Sequence, residues 1–78
     1  NELVTSDAPE LVLEQFGTEP GKRFVTVYNL STQTRRIRLV RHVSGERTRE
    51  LVENTTWTWT NGACEVDLPG EEVRVLVF

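Results

Sequence analysis

The chain has 78 residues, 37% hydrophobic and 27% charged with both signs interspersed, a composition that describes one small folded domain and not a disordered segment. Its net charge of −3 argues against a nucleic-acid partner, because phosphate binding draws on a basic surface. A single cysteine rules out an internal disulfide, and with one histidine there is no Cys/His set for a structural metal, so no cofactor is expected.

No run approaches the ~18 apolar residues of a membrane helix, and no basic-then-apolar leader opens the chain, so no membrane partner is expected. The start at Asn1 reads as that of an excised or processed fragment, which leaves localisation open. Residues 1–9 hold Leu3 and Val4 among polar neighbours and are expected to form a linker or a short edge strand. Residues 10–78 are expected to form a single domain.

Within it, apolar residues recur with a period near two and turn residues interrupt them every eight to twelve positions. Glu10 to Phe16 is the first strand, with Val12 and Phe16 on one face and Leu11 and Leu13 on the other. Pro20-Gly21 marks a turn. Arg23 to Tyr28 follows, with Phe24, Thr26 and Tyr28 opposite Val25 and Val27; apolar area on both faces suits a central strand. After a polar loop, Arg35 to Val43 turns Ile37 and Leu39 inward, and its period slips at Val40 and Arg41, where a bulge is expected.

Ser44-Gly45-Glu46 makes the next turn. Arg47 to Glu53 is extended, with Leu51 and Val52 as its apolar residues, and Thr55 to Thr60 alternates threonines with Trp57 and Trp59. Asn61-Gly62 is a strong type I′ hairpin signal. Beyond it Cys64, Val66 and Leu68 share a face opposite Glu65 and Asp67, and after Pro69-Gly70 the run Val73 to Phe78 has apolar residues on both faces. About seven strands in so short a chain predict an all-β fold, a small antiparallel β-sandwich of the immunoglobulin-like kind, with a closed barrel as the alternative.

Catalytic chemistry finds little support. His42 and Ser44 lie two apart on one strand, but no nucleophile-elbow sequence or orienting carboxylate pattern accompanies them. Carboxylates are abundant, yet a sugar-cleaving site needs a cleft that so small a sandwich has little interior to provide. The fragment itself is therefore expected to be non-catalytic. Cys64 is expected in the core. Arg36 and Arg38 share a face and are expected to be neutralised by Glu46, Glu50 and Glu53. The sequons at Asn29 and Asn54 are taken as turn positions. Trp57 and Trp59 project from one side of a strand; that geometry serves either core packing or an aromatic platform for sugar rings, which makes them the candidate ligand-binding pair.

Two stretches, Phe24 to Ser31 and Val66 to Phe78, resemble the C-terminal β-sandwich domains of bacterial glycoside hydrolases, in which an apolar strand ends in asparagine and a small polar residue and a Leu-Pro-Gly-Glu turn leads into a closing aliphatic run. The resemblance covers about a quarter of the chain. It implies a non-catalytic accessory domain packed against the catalytic domain of a carbohydrate-active parent, and supplies no catalytic residues. An exposed apolar patch should then mark where the partner packs. The alternatives are a carbohydrate-binding module using Trp57 and Trp59, which requires an indole face open to solvent, and a fibronectin-like protein-interaction or spacer domain, which would show an open sheet edge.

Overall fold

Alternating β-branched and aromatic residues, punctuated by Gly, Pro and Asn, form eight strands in the computed structural model, which describes residues 2–78. They are β1 (Val4–Thr5), β2 (Leu11–Phe16), β3 (Phe24–Asn29), β4 (Arg35–Arg41), β5 (Arg47–Glu50), β6 (Thr55–Thr58), β7 (Ala63–Leu68) and β8 (Val73–Val77). No helix occurs among the described residues. Every strand pair is antiparallel, in a three-stranded sheet ordered β1-β4-β7 and a five-stranded sheet ordered β2-β3-β8-β5-β6. The fold is an all-β sandwich, as the spacing of turns predicts. It has one strand more than the seven expected. That strand, β1, lies in the segment expected as a linker or edge strand, of which Asn1 falls outside the described residues; it edges the smaller sheet and brings Leu3 and Val4 into the core.

The core lies between the sheets. Val25 and Val27 of β3, Leu76 of β8, Ile37 and Leu39 of β4, and Cys64 and Leu68 of β7 fill it, closed at one end by Trp57, Trp59 and Phe78. Full burial of each large aliphatic is worth about 1.5–3 kcal/mol, and with one cysteine in the chain no internal disulfide adds to it. Two of the turns named by sequence show how their chemistry is used. Asn61 and Gly62 both have positive φ, 51° and 77°, and carry the chain from β6 of one sheet into β7 of the other. At Gly70 a Cβ would collide with the backbone of Thr32, so only glycine lets the two loops meet.

Asn29 holds those same loops together. It is buried; its Nδ2 donates to the carbonyls of Gln33 and Leu68 at 3.0 Å each and of Pro69 at 3.2 Å, and its Oδ1 accepts from Ser31 N at 2.9 Å. With its amide so occupied inside the fold, Asn29 ends a strand and is not a turn position. Asn54, with φ 56°, is one.

Two local expectations are corrected. The period slip at Val40 and Arg41 is not a bulge: pairing of β4 with β7 runs unbroken from Arg35↔Leu68 to Val40↔Ala63, and Arg41 takes the next inward place after Ile37 and Leu39. In β5 the inward residues are the polar Thr48 and Glu50, while Leu51 and Val52 lie exposed in the following turn. The extended run expected to Glu53 therefore stops at Glu50, whose carboxylate accepts from the backbone N–H of Val52, Glu53 and Val75 at 2.8, 2.8 and 2.9 Å and so pins that turn to β8.

Candidate docking surface

In a strand, successive side chains point to opposite faces, so a sheet with one face in the core presents every second residue outward. The five-stranded sheet turns Val25, Val27, Trp57 and Leu76 inward together with the polar Asn29, Thr48, Glu50 and Arg74, and much of its outward set on β2, β3 and β8 is apolar. Val12, Glu14 and Phe16 of β2, Phe24, Thr26 and Tyr28 of β3, and Val73, Val75 and Val77 of β8 lie on the outer face. Register assembles them into rows: Phe16↔Phe24↔Val77, Glu14↔Thr26↔Val75 and Val12↔Tyr28↔Val73. Phe16 is 52% exposed, Val73 39% and Val12 36%, while Phe24, Tyr28, Val75 and Val77 are half-buried. With strands ~4.8 Å apart and same-face residues ~6.7 Å apart, these rows span a surface roughly 10–15 Å on a side. Arg49 extends the first row, paired with Val77 on β8 and Thr56 on β6.

The outer face of the other sheet has the opposite character. Arg36 and Arg38 of β4 lie directly across from Asp67 and Glu65 of β7, with Arg36 Nη1 3.4 Å from Asp67 Oδ1. The arginine face is thus paired across the sheet, as expected, but with different acids. Glu50 is buried in hydrogen bonds and Glu53 lies 3.4 Å from the buried Arg74, so neither meets the arginines. A charged ladder suits water. The apolar outer face across the core suits another protein surface.

Sequence patterning had already indicated that β3 and β8 carry apolar residues on both sides, the pattern of strands covered on both faces. Both strands are central, with β8 between β3 and β5, but only their inward residues are buried, the outward ones among the described residues being half-buried or exposed.

The candidate sugar platform is placed elsewhere. Trp57 is 9% and Trp59 3% exposed, both within the core cluster. Trp59 Nε1 donates to Thr48 Oγ1 at 2.9 Å, and its ring meets Phe78 edge-on with centroids 6.0 Å apart. Core packing, the first of the two readings open for this pair, is what the geometry shows, and neither indole presents a face to solvent.

Arg41, which sequence reasoning missed, completes this end of the core. Its guanidinium lies over both rings, 5.3 Å from the Trp59 centroid and 5.0 Å from that of Phe78, and donates at 2.9 Å to the carbonyls of Val43 and Ser44. One nitrogen, Nη1, is buried without a hydrogen-bond partner, and burial lowers the guanidinium pKa. The facing rings offer the charge its compensation. The signal was its place in the inward parity of β4.

The remaining candidates are in structural contacts. His42 Nε2 lies 2.7 Å from Thr5 Oγ1. A groove of about 660 Å³ beside it is lined by Gln15 and Arg23 among others, but Gln15 Oε1 accepts from Leu3 N and Arg23 donates to the Phe78 carbonyl. Cys64 is buried, and that burial pushes its thiol pKa up. No group of three His, Cys, Asp or Glu side chains placed to hold a metal ion occurs among the described residues. In comparisons with protein-family profiles, curated proteins and solved structures, nothing matches this chain.

Proposed function

We propose that the chain is a non-catalytic accessory domain that packs against a neighbouring domain through the outer face of its five-stranded sheet. The observation that carries this is the apolar surface of Val12, Phe16, Phe24, Tyr28, Val73, Val75 and Val77, set on a sandwich whose other outer face is a charged ladder. The resemblance of Phe24 to Ser31 and Val66 to Phe78 to glycoside hydrolase C-terminal domains supports a carbohydrate-active enzyme as the parent and its catalytic domain as the neighbour. The same strands, β3 and β8, carry both the resemblance and the middle of the apolar face.

The role is mechanical. A neighbour packed on this face removes apolar area from water on both partners and holds the two domains in one orientation, stabilising each. The test is to express the complete reading frame that encodes the chain, alongside Phe16→Glu and Val73→Lys variants. Phe16 is half exposed, so the domain's own fold tolerates the change. Thermal unfolding of the neighbouring domain should begin several degrees lower in both variants, with polysaccharide hydrolysis per folded molecule unchanged. Unfolding that ignores both substitutions would sink the proposal. So would titration of soluble polysaccharides onto the isolated chain that shifts tryptophan emission saturably, since that would make the domain a sugar binder.

A further inference from the structure

The outer face of the five-stranded sheet is also self-complementary. Its acidic member, Glu14, lies on the edge strand β2, and its basic members, Arg47 and Arg49, lie on β5 beyond the apolar residues of β3 and β8, Arg49 being the nearer to the Glu14 row. We infer that, where no neighbouring domain covers it, this face pairs with the same face of a second copy about a two-fold axis. The inference rests on the face being a docking surface and goes beyond that reading by taking a second copy of the chain as its occupant.

A two-fold axis running along the strands between β3 and β8 places β2 of one copy over β5 of the other, and the same contact recurs on the opposite side. Glu14 sits in the row of Thr26 and Val75, and Arg49 in the adjacent row of Phe24 and Val77. The two are thus offset by a single row, roughly 7 Å along the strand, within the combined reach of a glutamate and an arginine across sheets about 10 Å apart. The twist of each sheet sets such faces at about 30° to one another, and Phe16, Phe24 and Tyr28 supply rings large enough to interdigitate across that gap. The apolar patch is smaller than the ~800 Å² per partner of a standard interface, so the pair belongs to the weak end of specific association.

The test is sedimentation equilibrium of the chain from about 10 µM to about 1 mM, the range in which a weak interface is populated. The mass should rise from the 8.9 kDa monomer toward twice that value. Phe16→Glu should hold the chain monomeric. Glu14→Arg and Arg49→Glu should each weaken pairing by about tenfold, and the double exchange should recover it, since the contact is restored with its signs reversed. Arg38→Gln, on the charged outer face of the other sheet, should change nothing. A monomer throughout the range, a dimer indifferent to Phe16→Glu, or a double exchange that fails to recover pairing would each overturn the inference. So would a monomeric chain that sediments instead with insoluble polysaccharide. Should circular dichroism show Phe16→Glu unfolded, the exchange series decides. A monomeric chain whose Phe16→Glu variant still destabilises the complete protein removes the pairing and leaves the docking role standing; indifference in both experiments removes both.

Discussion

Glu50 is the side chain whose alteration tests the architecture most directly. Its carboxylate is 1% exposed; Oε2 accepts from Val52 N and Val75 N and Oε1 from Glu53 N, so one residue of β5 holds both its own turn and the central strand β8. In Glu50→Gln the amide oxygen can serve the two donors at the Oε2 position, but the amide nitrogen then faces the N–H of Glu53, a donor against a donor. One backbone N–H loses its acceptor, at about 1–3 kcal/mol, and the two remaining bonds lose their charge assistance. The expected loss is about 2–3 kcal/mol, from a total that for 78 residues is on the order of 4–12 kcal/mol. Urea unfolding followed by tryptophan emission reads it: with a slope near 1 kcal/mol per molar for so small a domain, the midpoint should fall by about 2 M at unchanged slope. Glu53→Gln, at a position whose carboxylate is 57% exposed, should move the midpoint by less than about 0.5 M. A Glu50→Gln midpoint within about 0.5 M of the parent would refute the reasoning, since those three bonds would then contribute little beyond what water supplies.

Thr48→Val strands the Trp59 indole N–H inside the core and should cost about 1–3 kcal/mol, seen in thermal unfolding as a drop of roughly 4–8 °C per kcal/mol. Burial pushes the Cys64 thiol pKa up, Arg36 pulls it part of the way back, and Glu65 adds to the rise. The folded chain therefore keeps its proton where the unfolded one loses it, and the associated stability is present below the ordinary thiol range, about pH 8.5, and lost as pH rises through the folded value. Urea midpoints from neutral to alkaline pH should accordingly fall more steeply for the parent than for Cys64→Val. The ion pair of Arg36 and Asp67 is about two-thirds exposed, so Arg36→Ala should change stability by no more than ~0.5 kcal/mol in the same titration.

Most of the fold was legible in the sequence because period-two alternation and turn chemistry are local. Val25 and Val27 against Phe24 and Tyr28, the Asn61-Gly62 turn, and Cys64 with Leu68 on one face all follow from neighbours a few positions away. Polar residues that point inward broke that legibility. Arg41 lies against the rings of Trp59 and Phe78, Thr48 accepts from Trp59, and Glu50 accepts from Val75 as well as from its own turn; those contacts depend on the fold, and no local pattern distinguishes the three from solvated residues. The arginine face was misassigned for the same reason. Which acids stand opposite Arg36 and Arg38 depends on β4 pairing with β7, a choice of strand order that alternation does not encode. The docking face was half legible: two-sided apolar strands were evident in β3 and β8, but only the topology shows that one side goes uncovered.

The place of β8 in the sheet has a consequence for how the chain comes together. It is the last strand in sequence and the third in the five-stranded sheet, with β3 on one side and β5 on the other. As the polypeptide leaves the ribosome, β2 and β3 can form one hairpin and β5 and β6 another, both from nearby residues, but nothing joins them. Leu76 is not yet available to the core, and the edges of β3 and β5 stay open until β8 arrives. Folding is then completed in one late step that closes loops of many residues, the slow kind of event during which unpaired edges find the wrong neighbours. Removing that one strand would leave the five-stranded sheet as two separate ribbons facing the β1-β4-β7 sheet, each ribbon too small to persist in water by itself.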